Sequence, residues 1–342
     1  MYKDLTIIIP TYNRPKLVRR AILYYSDFPV NIVIADGSEQ SSELYPCGTY
    51  GKFKWFYFNI RGRMTLTERC RTALNFVETQ YFCFLDDGDL LLYSGLSRAI
   101  DEMKGDTIRK VGGGMAGKIF PCHQTTSGQK VNVYGADQHW SLPFSQSLNS
   151  DPMYRIMDTL QQKRTANLNY LVMRTLDYRD ALSDLFASKI GAIEIYELII
   201  SAIISATTPV VLGNYPFWIR SDVPSVPSND WTPRLEWNAA SYPGEMESAI
   251  SIMQRSIKAI SGIDIASEDL RKYLEHHEET YHFRHDLSTL PDNLKFMSTS
   301  WAEVWKGLLG RELTSIEFDD LSRVDSIFRL FPRGIDRFPW VI

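Results

Sequence analysis

Asp86, Asp87 and Asp89 crowd into the stretch YFCFLDDGDLL at 81–91, directly behind a run of five apolar or aromatic residues. Carboxylates gathered at the end of a buried segment repel one another and resist loss of water, so they cost stability unless a cation joins them. A divalent metal carrying a phosphate-bearing substrate meets that need, and a solvated acidic turn is the alternative. Asp36 closes a second apolar run, VNIVIADGS at 30–38, in the same manner. A third acidic feature lies in IGAIEIYELIISAIISATTPVVL at 190–212, where helical spacing sets Glu194, Glu197 and Ser201 on one face of an otherwise apolar helix. Apolar surroundings raise a carboxylate toward the range of a general base, whereas the wet face of an ordinary helix would need no such role. Asp177, Asp180 and Asp184 are weaker candidates for a base.

The elements that must position these groups alternate between strand and helix. LTIIIP (5–10) is a continuous apolar run, as expected of a parallel strand covered on both faces. NRPKLVRRAILYY follows, with Pro15 suited to a first helical turn and Leu17, Val18, Ala21, Ile22 and Tyr25 on one helical face. VNIVIADGS and FKWFYFN (53–59) read as further strands, and Thr65 with Glu68 has the spacing of a capping box opening a helix. YFCFL is a fourth strand, and SGLSRAIDEMKG (94–105) a helix closed by Gly105. This order predicts an α/β protein whose sheet is mostly parallel and flanked by helices. Ligands of such sheets sit at the carboxyl ends of the strands, and Tyr12, Asp36 and the 86–89 cluster all stand at such ends. VGGGMAGK (111–118) matches neither a phosphate-binding loop nor a dinucleotide fingerprint and reads as a flexible loop. DVPSVPSND (222–230) has the composition of a linker, and 235–342 is largely helical in pattern.

Composition narrows the partners. A net charge of −4 gives no global basic field, which argues against nucleic acid. Cys47, Cys70, Cys83 and Cys122 form no CxxC pair and read as free thiols of a reducing compartment. Met1 to Asp4 leads directly into a strand, and the apolar stretch at 190–212 carries Glu194 and Glu197 and meets Pro209, so neither a leader nor a membrane span is expected. The expectation is a cytoplasmic protein, with a peripheral position at the inner face of the membrane as an extension of it.

IIIPTYNRP, IVIADGS and YFCFLDDGDLLL, in this order, resemble the nucleotide-sugar-binding half of the inverting family-2 glycosyltransferases with the GT-A (Rossmann-like) fold. The resemblance covers 4–105 well and 165–220 loosely, and does not cover 222–342. It implies a glycosyltransferase domain over 1–221, with a nucleotide-sugar half to about 105 and an acceptor half from 106, followed by a mainly helical C-terminal region over 222–342. It implies that Pro10, Thr11, Tyr12 and Arg14 border the nucleotide, with Tyr12 as a stacking face. Asp36 corresponds to the aspartate that accepts from a uracil N3–H, which favours UDP over cytosine nucleotides, although Ala35 replaces the first member of the usual acidic pair. Arg61 and Arg63 fall where the family supplies a basic contact to ribose or phosphate, an ordinary solvated loop being the alternative.

The acidic stretch matches the family's DxD motif, whose carboxylates hold Mg²⁺ or Mn²⁺ against the diphosphate, with Asp87 also counted among the nucleotide-binding residues. In one register Gly88 falls at the main metal-binding position and Asp87 and Asp89 flank it. In the other, Asp87-Gly88-Asp89 is itself a DxD, and a metal-free enzyme using arginines is the alternative to both. The family's catalytic base opens a helix downstream; Ile195 occupies the usual Asp position, so the role shifts to Glu194. The implied reaction takes sugar from a UDP-sugar to a hydroxyl of a glycan or lipid-linked glycan, as in polysaccharide biosynthesis.

Two rival classes stand beside it. A nucleotidyltransferase acting on sugar phosphates would carry a glycine-rich basic loop after the first strand, which PTYNRP is not. A non-catalytic nucleotide-sugar-binding relative would fit the departures at Ala35, Gly88 and Ile195. His276, His277, His282 and His285 gather in EHHEETYHFRH, but the Glu and Arg around them read as a solvated helix rather than a zinc site. His123 and His139 lie in the acceptor half as candidates for sugar contact. The tail, with Arg323, Arg329, Arg333 and Arg337 among Phe328, Phe331, Phe338 and Trp340, suits an anionic membrane surface, a second copy of the chain, or packing back onto its own domain.

Overall fold

The computed structural model describes residues 4–38, 48–50, 53–59, 65–106, 108, 110–124, 130–137, 144–145, 151–161, 168–188, 190, 193–221, 243–281, 294–298 and 300–330. The first half contains β1 (Leu5–Thr11), α1 (Pro15–Tyr25), β2 (Asn31–Asp36), β3 (Gly48–Tyr50), β4 (Phe53–Asn59), α2 (Leu66–Leu74), β5 (Tyr81–Phe84), β6 (Leu90–Leu91) and α3 (Tyr93–Gly105). There follow β7 (Val111–Gln124), β8 (Lys130–Asp137), β9 (Phe144–Ser145), α4 (Pro152–Gln161), β10 (Val172–Arg174), α5 (Thr175–Phe186), α6 (Ile193–Thr207) and β11 (Val211–Ser221). The last part contains α7 (Pro243–Ser261), α8 (Ser267–Tyr281), β12 (Leu294–Ser298), α9 (Trp301–Leu309) and α10 (Ser315–Leu330).

The apolar runs pair as parallel strands in the order β4-β2-β1-β5, with Ile8 beside both Val33 and Phe84. Alternate residues of each run enter different cores, which is why the runs are apolar throughout. Leu5, Ile7 and Ile9 face a core with α1, α3, α9 and α10, while Ile8 and Val33 face one with α2, α5, α6, α7 and α8. Antiparallel β10 then links β5 to β7, and β8 and β12 continue the sheet outward. The result is the helix-flanked α/β sheet expected, mostly parallel in its N-terminal half, where β3 runs antiparallel to β4, and mixed beyond. Among the described residues, the C-terminal region is helical but for β12, and α10 packs on α1 and α3. The 222–230 segment lies outside the described residues.

The glycine-rich stretch is not a loop. Val111 to Gln124 is strand β7, paired in parallel with β11. Its glycines permit close approach: a Cβ on Gly112 would come within 2.7 Å of the Ala99 carbonyl oxygen in α3, and one on Gly114 within 2.7 Å of Tyr215. Glycine here marks close packing, not a turn. The capping box is as expected, with Thr65 and Glu68 each holding the other's backbone N–H. Cys70 and Cys83 are buried free thiols. Among the described residues, no helix is long and apolar enough to cross a membrane.

Candidate functional site

Because β1, β2 and β5 run parallel, Thr11, Asp36 and the 86–89 turn emerge at one edge of the sheet. Asp36 is buried, and its carboxylate is organised by three donors. Oδ1 accepts from Ser38 N–H at 2.8 Å and from the Ser38 hydroxyl, while Oδ2 accepts from the Tyr57 hydroxyl at 2.9 Å. Asn13 stands at φ 54°, a left-handed conformation that asparagine tolerates, and its N–H donates to Ser38 Oγ at 2.7 Å. The turn after β1 is thereby tied to the turn after β2. Tyr12 lies over the Arg69 guanidinium, 5.8 Å from the ring centroid, and Pro10 precedes them within β1.

The acidic turn is closed by Asp89 N–H donating to the Asp86 carbonyl at 3.0 Å. Its three carboxylates have three different surroundings. Asp87, 4% exposed, accepts from Thr11 Oγ1 and from Arg14 Nη1, each at 2.7 Å. Burial pushes the Asp87 carboxyl up, and the Arg14 charge and the Thr11 hydroxyl oppose that rise. Asp89, 2% exposed, accepts from Trp218 Nε1 at 3.0 Å. Asp86 is exposed and accepts from the Tyr170 hydroxyl at 2.8 Å. Burial and the Asp86 charge hold the Tyr170 hydroxyl well above its usual range, so it remains a neutral donor.

β11 completes this side. It pairs antiparallel with β6, Trp218 against Leu91 and Ile219 against Leu90, which brings Arg220 toward Asp89. Trp218 stacks on Tyr170 at 4.2 Å, and the Arg220 guanidinium lies 5.8 Å from the Trp218 ring. Burial disfavours the Arg220 charge, but Tyr170, Asp89, Asp86 and Glu197 outweigh it and hold its pKa up. Glu197 of α6 thus belongs to the same electrostatic neighbourhood as the turn. Glu194 is in the first turn of α6, and its side chain lies outside the described residues. Ser201 is buried.

Of the weaker base candidates, Asp177 stands at the opposite edge of the sheet, since Thr175 N–H bonds to Gln80 at the amino end of β5, and it pairs with Lys110 at 3.4 Å. Asp180 and Asp184 are exposed on α5. Arg61, Arg63, His139, His282, His285 and the tail beyond 330 lie outside the described residues, as do the side chains of His123, His277 and Arg329. The residues that sequence reasoning did not single out are Tyr170, Trp218 and Arg220. The pairing of β11 with β6 reveals Trp218 and Arg220, and Tyr170 is brought to Asp86 from the segment just before β10.

Fold and site together define an α/β protein with an acidic, arginine-countered site at the carboxyl edge of its parallel strands. No family model matches the chain, and no curated protein matches it. Among solved structures it is similar to S. aureus TarS, with 13% identity over 83% of this chain and a TM-score of 0.48. The chain spans 44% of the length of that TarS chain. It is similar too to TarS 1-349 in complex with UDP-GlcNAc, at 13% identity over 84% of this chain and 74% of the other, with a TM-score of 0.48. For TarS 1-349 in complex with UDP, the figures are 11% identity, 97% and 92% coverage, and a TM-score of 0.44.

Proposed function

We propose that this chain is a glycosyltransferase that moves a sugar, with inversion, from a UDP-sugar to a hydroxyl of a glycan or lipid-linked glycan. The observation that carries the reading is the opening of Asp36 and the acidic turn on one sheet edge, at the ends of adjacent parallel strands joined through Thr11. Asp36 accepts the uracil N3–H there, beside Tyr12 and Pro10. Arg14 and Arg220 supply positive charge near the diphosphate, with Arg63 as a further contact.

The proposal extends to a divalent metal at the turn. Among the described residues, no three or more His, Cys, Asp or Glu side chains converge as a metal cage. Asp87 and Asp89 nevertheless offer hard oxygen donors, which suit Mg²⁺ or Mn²⁺ that draws its remaining ligands from phosphate and water. When bound, the metal would neutralise charge developing on the diphosphate leaving group.

In the transfer itself, Glu194 takes the proton of the acceptor hydroxyl as that oxygen bonds to the anomeric carbon. The bond from the anomeric carbon to the diphosphate breaks with its electron pair, and UDP departs. Measuring UDP release over a panel of UDP-sugars, with and without EDTA, tests the reading. Glu194→Gln is expected to lower kcat by about 10²–10⁴-fold while UDP affinity is kept. Nucleotide binding without release for any donor would overturn the enzymatic reading and leave a binding protein. Turnover indifferent to EDTA would remove the metal and leave Arg14 and Arg220 to compensate the leaving group.

A further inference from the structure

The acidic turn is reached by two anchors that lead back to α10. Arg20 of α1 is 2% exposed, and its Nη2 donates to the Gly88 carbonyl at 2.6 Å. The same guanidinium lies 4.7 Å from the centroid of the Phe328 ring, in α10, where a π face offsets the cost of burying the charge. The Tyr25 hydroxyl, also on α1, accepts from Leu91 N–H at 2.8 Å just beyond the turn. Arg323 of α10 fastens the two helices together, donating to the Tyr24 carbonyl at 3.2 Å and to Asp27 at 3.2 Å.

The second anchor concerns the helix that follows the turn. Leu92 at the N-cap of α3 offers no side-chain acceptor, so the first N–H groups of α3 need one from elsewhere. Asp320 of α10 supplies it, accepting from Ser94 N–H at 2.6 Å across 226 residues of sequence. One anchor fixes the carbonyl immediately before Asp89, and the other fixes the start of the helix that Asp89 leads into.

We infer that α10 is a brace for the acidic turn, with Phe328 and Asp320 as positioning residues that act on Asp87 and Asp89 without touching them. Rotation of the Gly88 peptide would re-aim both neighbouring carboxylates, and the Arg20 bond to the Gly88 carbonyl opposes that rotation from one end while the Asp89 N–H bond to Asp86 opposes it from the other. Its consequence for donor affinity rests on the proposed role of the turn in binding UDP.

The test uses full-length Phe328→Leu, Asp320→Ala and Asp320→Asn proteins, read by amide exchange and by UDP titration with Mg²⁺. Leucine keeps Phe328 apolar, though smaller, and has no π face; asparagine keeps the acceptor of Asp320, and alanine removes it. Phe328→Leu and Asp320→Ala are expected to speed exchange of the Asp89 and Leu92 amides about tenfold, with the β1 and β2 amides unchanged. UDP affinity should fall about tenfold in both. Asp320→Asn should restore both readouts. Unchanged exchange in the turn, or a rise shared equally by the sheet, overturns the brace. Faster exchange confined to the turn with unchanged UDP affinity upholds the brace and instead refutes the nucleotide reading of the turn.

Discussion

Exchanging Asp36 for asparagine tests the nucleotide assignment at a single atom. The substitution is isosteric, so the surroundings dictate how the amide must lie. Ser38 N–H can only donate, and it bonds Oδ1 at 2.8 Å, so the amide oxygen stays at that position. The amide nitrogen then occupies the site of Oδ2, where the Tyr57 hydroxyl at 2.9 Å can turn from donating to accepting. A base at this edge therefore meets an N–H donor where it had met a carboxylate oxygen. Uracil N3–H loses a charge-assisted hydrogen bond worth about 1.5–3 kcal/mol, or about 10- to 150-fold in affinity. Cytosine, whose N3 accepts, gains a neutral bond worth about 0.5–1.5 kcal/mol. The UDP-to-CDP affinity ratio should accordingly fall by about 30-fold or more. Calorimetric titration of both nucleotides into both proteins measures it. An unchanged ratio in a folded Asp36→Asn protein would refute the placement of the base against Asp36.

Two predictions concern stability. Burial pushes the Glu317 carboxyl up, but the forked pair with Arg311 at 2.8 and 2.9 Å and the Thr314 N–H hold it down to about 2. A carboxylate with a depressed pKa contributes its stability above its ordinary value and loses it as pH falls. Urea unfolding should thus show wild type losing about 3 kcal/mol more than Glu317→Gln as pH drops from near 4.5 toward 2. Gly95→Ala would set a Cβ 2.4 Å from the Pro216 carbonyl oxygen and 2.7 Å from Phe217 Cα, both backbone atoms of β11. Thermal unfolding should register a loss of about 1–3 kcal/mol, with weaker UDP binding as Trp218 and Arg220 move with the strand.

The parallel strands were legible because burial on both faces leaves no polar position to confuse the pattern. LTIIIP, NIVIAD and YFCF needed no tertiary information. The turns carrying Asp36 and Asp87 followed from chemistry that interrupts those runs. What could not be read depended on partners distant in sequence. Helical periodicity in α1 placed Leu17, Val18, Ala21 and Tyr25 in the core and Ile22 at its margin, but it could not show that Arg20 is buried as well, because Gly88 and Phe328 receive its head group. Gly112 to Gly114 looked like a loop because local propensity cannot register α3 and Tyr215 pressing on the strand. Arg220 became a site residue only through the ladder that sets β11 beside β6.

The brace formed by α10 also dictates when the site can come into being. A ribosome delivers the parallel strands and the acidic turn early, and Asp320 of α10 follows Ser94 only after 226 residues of chain. Bonds of such separation must overcome the entropy of closing a long loop, and they form late. Until 315–330 have left the exit tunnel, Arg20 lacks its ring and α3 lacks its cap, so a nascent chain holds the carboxylates without their final aim. The final aim of the carboxylates is thereby deferred until 315–330 have been made.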